Sequence, residues 1–464
     1  MLAVTAARLV LLSFSRADLF VDEAQYWLWA QSLDFGYYSK PPLIAWTIRL
    51  STEIGGSDAE FWIRLPAPLL HAATALILGA VAAQAAGRAA AIASAMIYVT
   101  LPIATLFSAG ISTDTVMFPF LALALLFWLR LLERDDARMA LLAGGALGLA
   151  FLAKYAAIYY LGCAALVAAL IPEARPGRRS AVLALSAFVV AISPNLVWNV
   201  ANGLPTLEHT LDNADWVRDP GERAHLNLAG LAEFFVSQFA VFGPVPFAVL
   251  LALGATWRRL DARTRALLMF SLPVVALVCV QALLSRAYAN WAAAAYVAGT
   301  LAVAPWLLGR RRLLTISFVL NGAVAAAIPL AATLADRLPR PDGRHLALER
   351  YVGRHEMSRA ILAEARARDL EVVVAGDRDI LADLFYVGRE GPFAFRAPPP
   401  RGRPKNHYEF AYPYDGSDGP ALLVVRDGDP HPCPDAASPA GVLAPVEGAY
   451  RRRPQLLFVV SGEC

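Results

Sequence analysis

Two adjacent carboxylates, Asp22 and Glu23, open the run DEAQYWLW, which leads into Gly36-Tyr37-Tyr38-Ser39-Lys40-Pro41-Pro42. A carboxylate can take a proton from an attacking hydroxyl, and a lysine can hold a phosphate oxygen. The two prolines after Lys40 restrict the backbone and fix the direction in which that lysine projects. Trp27, Trp29, Tyr37 and Tyr38 suit a helix at a membrane interface, where aromatic rings bridge lipid and water. Alone, Asp22 would read as a helix cap and Lys40 as a lysine reaching for lipid headgroups. An acid placed at the mouth of an apolar bundle is costly, and that marks it as a site.

Further polar residues fall at other segment ends. Asp114 heads an apolar segment, where its charge suits a helix N-terminus. Lys154 and Tyr155 interrupt another. Asn195, Trp198, Asn199, His209, Arg223, His225, Gln238, Arg286, Tyr288, Asn290 and Trp291 follow. A lipid phosphate needs cations, a sugar needs hydrogen bonds and flat aromatic faces, and an attacking hydroxyl needs a base. This set therefore suits group transfer from a phosphate leaving group. A donor held in the membrane accounts for the lack of a phosphate-binding glycine loop. No CxxC or HExxH is present, and scattered histidines such as His209 and His225 make no metal-ligand cluster. The chemistry requires no cofactor; a divalent metal is compatible with it but has no ligand set in its support.

The elements that position these residues are mostly apolar helices. Hydrophobic residues make up 58% of the 464-residue chain and charged residues 17%. Apolar runs of spanning length are expected near 2–16, 63–86, 89–107, 115–132, 139–153, 155–171, 181–200, 229–255, 266–284, 291–308 and 313–333, about eleven transmembrane helices. The first lacks a cleavage-site pattern and reads as an anchor. Arg88, Arg134 and Arg138, Arg175 to Arg179, Arg258 to Arg265 and Arg310 to Arg312 share one side, which the positive-inside rule makes cytoplasmic. This requires 139–171 to be a hairpin turning at Lys154; a single helix there would flip every later span. The Asp22 loop, Asp114, Lys154, the loop 201–228 and the turn 285–290 then lie outside. The net charge of +3 reflects these topological arginines and gives no nucleic-acid signal.

Residues 335–464 differ in kind, with more charge and proline and shorter apolar runs. Strands are expected at 371–375, 421–426 and 455–461, helices at 346–369 and 379–387, and a Pro/Arg-rich loop at 392–405. The expected architecture is thus a polytopic α-helical domain, 1–334, with a first outer loop at 17–62, and a small extracytoplasmic α/β domain, 335–464. Cys163 and Cys279 fall in spans as packing residues. Cys433 and Cys464 lie outside, where a disulfide is permitted.

The run DEAQYWLWAQSLDFGYYSKPPLIAW resembles bacterial family 39 glycosyltransferases, together with Arg64-Leu65-Pro66, Ser112-Thr113-Asp114, LAKY at 152–155, ISPNLVWN at 192–199 and AYANWAAAAY at 287–296. This is the dolichyl-phosphate-mannose protein mannosyltransferase-like group, which includes the lipid A aminoarabinose transferases. The resemblance implies a GT-C type fold in the bacterial inner membrane, with the site and C-terminal domain on the periplasmic face. It implies inverting transfer from a polyprenyl-phosphate-linked sugar to an envelope lipid, glycan or protein hydroxyl. Asp22 matches the catalytic base, Glu23 its supporting neighbour, Asp114 a second acid and Lys40 a donor-phosphate ligand. Lys154, Arg223 and Arg286 are further phosphate candidates, and Tyr37, Tyr38 and Tyr155 candidate sugar or lipid contacts. Two positions depart. Relatives carry Glu-Lys or Asp-His before Pro-Pro where this chain has Ser39-Lys40. The aminoarabinose transferases place an arginine where it has Gln25, so an aminoarabinose donor is not supported. A lipid-linked-sugar flippase would put its acids near the bilayer midplane, and a scaffold would need none of them. Both fit less well than an enzyme.

Overall fold

The computed structural model describes residues 1–213, 226–337, 348–434 and 436–462. It opens with α1 (Leu2–Ser13), α2 (Val21–Gln31), α3 (Leu43–Gly55), α4 (Glu60–Arg64) and α5 (Pro66–Thr100). Then come α6 (Pro102–Ala109), α7 (Thr113–Arg134), α8 (Ala137–Ala153), α9 (Ile158–Leu170), α10 (Arg178–Ala201) and α11 (Pro205–Asn213). The helices α12 (Leu228–Val241), α13 (Pro244–Ala255), α14 (Ala262–Met269), α15 (Leu272–Leu284), α16 (Ala295–Leu308) and α17 (Arg311–Thr333) complete the apolar part. Among the described residues, five helical stretches are long and apolar enough to cross a membrane: Glu60–Thr100, Thr113–Arg134, Arg178–Ala201, Ala262–Leu284 and Arg311–Thr333.

Breaks in these helices have local causes. Within α5, Ala86 and Gly87 leave helical geometry, Gly87 with φ +77°. The arms fold back, since a Cβ on Gly79 would lie 3.3 Å from the Ala91 carbonyl oxygen; in a straight helix twelve residues would separate them by about 18 Å. The expected single span 229–255 is instead α12 and α13, bent by 114°. Gly243 at φ +90° followed by Pro244 makes that bend, because a left-handed residue and a missing N–H both end helical pairing.

The chain packs as two compact units. The larger comprises Met1–Val10, Lys40–Thr47 and Arg64–Pro329. In it, Lys154 has extended backbone between α8 and α9 (φ −156°, ψ 130°). The Ser180 hydroxyl donates to Asp135 at 2.6 Å, Arg263 pairs with Glu133 at 3.8 Å and Arg265 with Glu173 at 3.5 Å. The arginine-bearing loops around 134–138, 175–180 and 258–265 therefore meet at one end of this unit. A single helix over 139–171 would have held two of them about 50 Å apart, so the hairpin at Lys154 is the arrangement formed. Arg8 is buried in α1 and donates to the Val99 carbonyl (2.7 Å), Thr105 Oγ1 (2.8 Å) and Ser108 Oγ (3.0 Å). Those three bonds offset part of the cost of a charge in an apolar setting.

The second unit comprises Leu11–Ser39, Ile48–Ile63 and Leu330–Cys464. The sequence reading groups the loop 17–62 with the membrane spans; in packing, most of it belongs with the C-terminal region. Its sheet has the order β2-β1-β3-β5-β4, with β1 (Val372–Ala375), β2 (Ala394–Arg396), β3 (Ala421–Arg426), β4 (Ala437–Leu443) and β5 (Gln455–Val460). β1 pairs in parallel with β2 and β3; β5 runs antiparallel to β3 and β4. Helices α18 (Arg354–Arg366), α19 (Arg378–Val387) and α20 (His407–Ala411) accompany it. The strands expected at 371–375, 421–426 and 455–461 are β1, β3 and β5. β2 lies inside the stretch expected to be loop, and β4, with Pro439 and Gly441, carries little strand signal. Cys433 is disulfide-bonded, Cys163 and Cys279 are free thiols, and Cys464 lies outside the described residues.

The α8–α10 packing depends on two glycines. A Cβ on Gly144 would lie 1.9 Å from the Ala184 carbonyl oxygen, and one on Gly148 2.5 Å from the Ala191 Cβ; small residues let membrane helices approach this closely. Gly145 faces open space. Gly144→Ala is expected to lower the unfolding midpoint in detergent, at a cost of about 1–3 kcal/mol. Gly145→Ala should leave it unchanged or raise it, because alanine is the better helix former. A thermal melt of both variants checks this.

Candidate functional site

Asp22 stands in the first turn of α2, in the smaller unit. Its neighbour Glu23 turns its carboxylate back to accept the Phe20 N–H at 3.0 Å, which closes the N-terminus of the helix. Asp22 Oδ1 accepts from Arg378 at 2.5 Å, and Arg378 Nε donates to Gln25 Oε1 at 2.9 Å. Arg378 opens α19, directly after β1 and Gly376-Asp377. Asp377 caps the helix, its carboxylate accepting the Asp379 N–H. The guanidinium thus projects from the carboxyl end of a parallel strand, where α/β folds commonly place ligand-binding groups. Burial works against its charge, but the Asp22 carboxylate outweighs this and holds Arg378 above the usual arginine pKa.

The aromatic residues of α2 are packed inside the protein, where the sequence reading places them at a lipid interface. Trp27 is 3% exposed; its ring meets Tyr386 of α19 edge-on at 5.1 Å and its Nε1 donates to Asp58. Trp29 stacks on Tyr37 at 4.8 Å and meets His407 edge-on at 5.4 Å. The Tyr37 hydroxyl donates to the carbonyls of Trp29 and Ser32, and that of Tyr38 to the Pro404 carbonyl. Both rings are buried, a structural role that the sugar-contact expectation does not include. His407 is buried, and its Nδ1 has no hydrogen-bond partner among the described residues. Burial first, and the nearby Arg378 charge second, pull its pKa down to about 3, so its ring is neutral at ordinary pH.

In the larger unit, Asp114 is 2% exposed. Ser112 caps α7 by accepting the Thr115 N–H, which leaves the Asp114 carboxylate to other partners. Lys154 Nζ donates to its Oδ2 at 2.7 Å, and Asn290 Nδ2 donates to the same oxygen at 3.3 Å. Asp114, Lys154 and Asn290 come from three turns that the charge pattern assigns to one side. Expected separately as an acid and a phosphate ligand, Asp114 and Lys154 form an ion pair. Tyr155 donates to Asn195 Oδ1 at 3.1 Å, and Gln238 joins Tyr296 to the Ala289 carbonyl. Lys40 is half-buried in the larger unit, and Arg286 is exposed in the turn after α15. Arg223 lies outside the described residues. The sequence reading misses Arg378, Gln25 as its partner, His407 and the part taken by Asn290. Only the strand–turn–helix junction at 375–378 could have pointed to the first.

The dolichyl-phosphate-mannose-protein mannosyltransferase family matches residues 39–198. The lipid A galacturonosyltransferase RgtD of Rhizobium johnstonii is 40% identical, over the whole of this chain and 97% of its own length. ArnT from Cupriavidus metallidurans matches in fold, with a TM-score of 0.65, over 99% of this chain and 97% of that one. The identity is 15% for its apo structure and 18% for its structure bound to undecaprenyl phosphate.

Lys154→Met leaves Asp114 buried and charged, so it is expected to destabilise the fold by roughly 3 kcal/mol or more. Adding Asp114→Leu should recover part of that loss, as thermal melts of the single and double variants would reveal. His407 predicts an acid-side effect. In the unfolded chain it takes a proton near pH 6.5, in the fold only near 3, so its stabilisation is present above pH 6.5 and is lost as pH falls toward 3. The slope from this group is at most about 1.4 kcal/mol per pH unit. His407→Phe should flatten the decline in melting temperature between pH 6.5 and 4.

Proposed function

We propose, from the premise that this chain belongs to the dolichyl-phosphate-mannose protein mannosyltransferase-like membrane glycosyltransferases, that it moves galacturonic acid from a polyprenyl-phosphate donor to a hydroxyl of lipid A. The observation that carries the choice of sugar and acceptor is the end-to-end identity with a lipid A galacturonosyltransferase. The match includes the C-terminal region as well as the apolar helices. A uronosyl donor brings a carboxylate in addition to its phosphate and so calls for more cations than a neutral sugar. Lys40 is the first candidate for the phosphate, with Arg286 and Arg223 after it. Lys154 is already engaged by Asp114, which makes its role one of holding that acid.

In this reading Asp22 is the base. It accepts the proton of the acceptor hydroxyl as that oxygen attacks the anomeric carbon on the face opposite the phosphate. The carbon–oxygen bond to the phosphate breaks, its electron pair leaves with polyprenyl phosphate, and the product is inverted. Arg378 positions the Asp22 carboxylate by its hydrogen bond to Oδ1. Asp114 is less suited to proton abstraction, since it is buried as well as paired with Lys154, whereas the Asp22 side chain is 44% exposed. The clustering of three arginine loops at one end of the larger unit supports an orientation with the reaction on the periplasmic face of the inner membrane.

Purified protein mixed with polyprenyl-phosphate galacturonic acid and lipid A should yield lipid A heavier by one hexuronic acid, with polyprenyl phosphate released. Asp22→Asn should cut turnover by about 10²–10⁴, the range for a general base, while donor binding persists. Transfer of a neutral hexose in preference to the uronate would defeat the sugar assignment. Undiminished turnover in Asp22→Asn would place the base elsewhere.

A further inference from the structure

A second group of chemistry-bearing side chains sits in the smaller unit, apart from Asp22, Gln25 and Arg378. His355, in the first turn of α18, has Nδ1 2.7 Å from Asp383 Oδ1 of α19. Its Nε2 lies 2.7 Å from Oε1 of Glu60, the first residue of α4, and 3.8 Å from Asp18 Oδ1. The other oxygen of Asp18 accepts the backbone N–H of Arg354 at 2.8 Å and of His355 at 3.4 Å, which fixes that carboxylate over the start of α18. One ligand atom from each of Asp18, Glu60 and His355 lies within 4.8 Å of the others. Asp383 is 1% exposed, and its Oδ2 has no hydrogen-bond partner among the described residues.

We infer that Asp18, Glu60 and His355 form a binding site for a divalent metal ion of the zinc type, with Asp383 orienting the histidine. One imidazole nitrogen with two carboxylates is a zinc-like donor set, whereas calcium and magnesium favour oxygen alone. A metal-binding histidine almost always gives its other ring N–H to a carboxylate, a backbone carbonyl or a water, which fixes the tautomer and strengthens the ligating nitrogen. Asp383 stands in that position toward Nδ1, leaving Nε2 facing Glu60 and Asp18. Zinc bonds of about 2.1 Å in tetrahedral geometry set ligand atoms about 3.4 Å apart. Opening the Nε2 to Glu60 distance from 2.7 Å and closing the Asp18 distance from 3.8 Å are shifts of under about 1 Å, within reach of side-chain rotation. The three side chains are 14% to 24% exposed, so an ion can enter and a water can fill the fourth place. Asp18 precedes Asp22 by four residues, and the ion would tie that stretch to α4 and α18. Its role is therefore that of a clamp on the loop carrying the base, distinct from the transfer step itself.

The test uses full-length protein in detergent, stripped with a chelator and then titrated with zinc chloride, manganese chloride or calcium chloride. Calorimetry and elemental analysis after desalting read the stoichiometry, and thermal melts read stabilisation. One zinc per chain is expected, with a higher melting temperature than the stripped protein. Glu60→Gln, which keeps the side chain's shape, should abolish stoichiometric retention, and Asp383→Asn should weaken zinc affinity by about 10–100-fold. The inference is overturned if stripped wild-type protein takes up no zinc, since the cluster is then a closed network of an imidazolium and its carboxylates. It is equally overturned if zinc uptake survives Glu60→Gln unchanged, or if calcium binds at this site in preference to zinc and manganese.

Discussion

The ion pair between Arg378 and Asp22 is the interaction on which the proposed chemistry depends. Its side chains are 38% and 44% exposed, and pairs so exposed contribute only about 0–1 kcal/mol to stability. Its importance is positional. Arg378 holds one carboxylate oxygen and Gln25 at once, so the acid at the start of α2 has a defined direction and a cation beside it. The fold provides for this by apolar packing. α2 is buried on nearly every side, and Trp27 against Tyr386 joins it to α19, the helix that Arg378 opens. The first loop and the C-terminal sheet thereby form one body, and the C-terminal region becomes part of the site's construction.

The larger unit solves a different electrostatic problem. Asp114 is buried at the head of α7, where a lone carboxylate would be expensive. Lys154 at the break between α8 and α9, and Asn290 from the turn after α15, both donate to it. One acid thus fastens three turns, among them the break at Lys154 between α8 and α9.

How much of this could be read from the sequence divides along chemical lines. The motif from Asp22 to Pro42, the apolar segments and the strands β1, β3 and β5 are local signals, carried by residue type and period. Their identification needed no partner. The ion pairs were not legible, because Asp22 and Arg378 are 356 positions apart and no spacing rule connects them. His355, Glu60 and Asp18 were invisible as a group for the same reason. Trp27 and Trp29 were misplaced at a lipid interface because an amphipathic ring suits both an interface and a protein core, and the choice depends on α19. Sequence proximity groups the loop 17–62 with the membrane domain, whereas packing places most of it with the C-terminal body.

The most direct test of Arg378's part is to exchange the two ends of its contact with Gln25. Turnover would be measured for Arg378→Gln alone and for Arg378→Gln combined with Gln25→Arg, which returns a guanidinium to the neighbourhood of Asp22 from α2 itself. A fall in the single variant, with recovery in the double variant at unchanged donor affinity, is the expected result. Full turnover in Arg378→Gln would contradict it, and so would a double variant no more active than the single one.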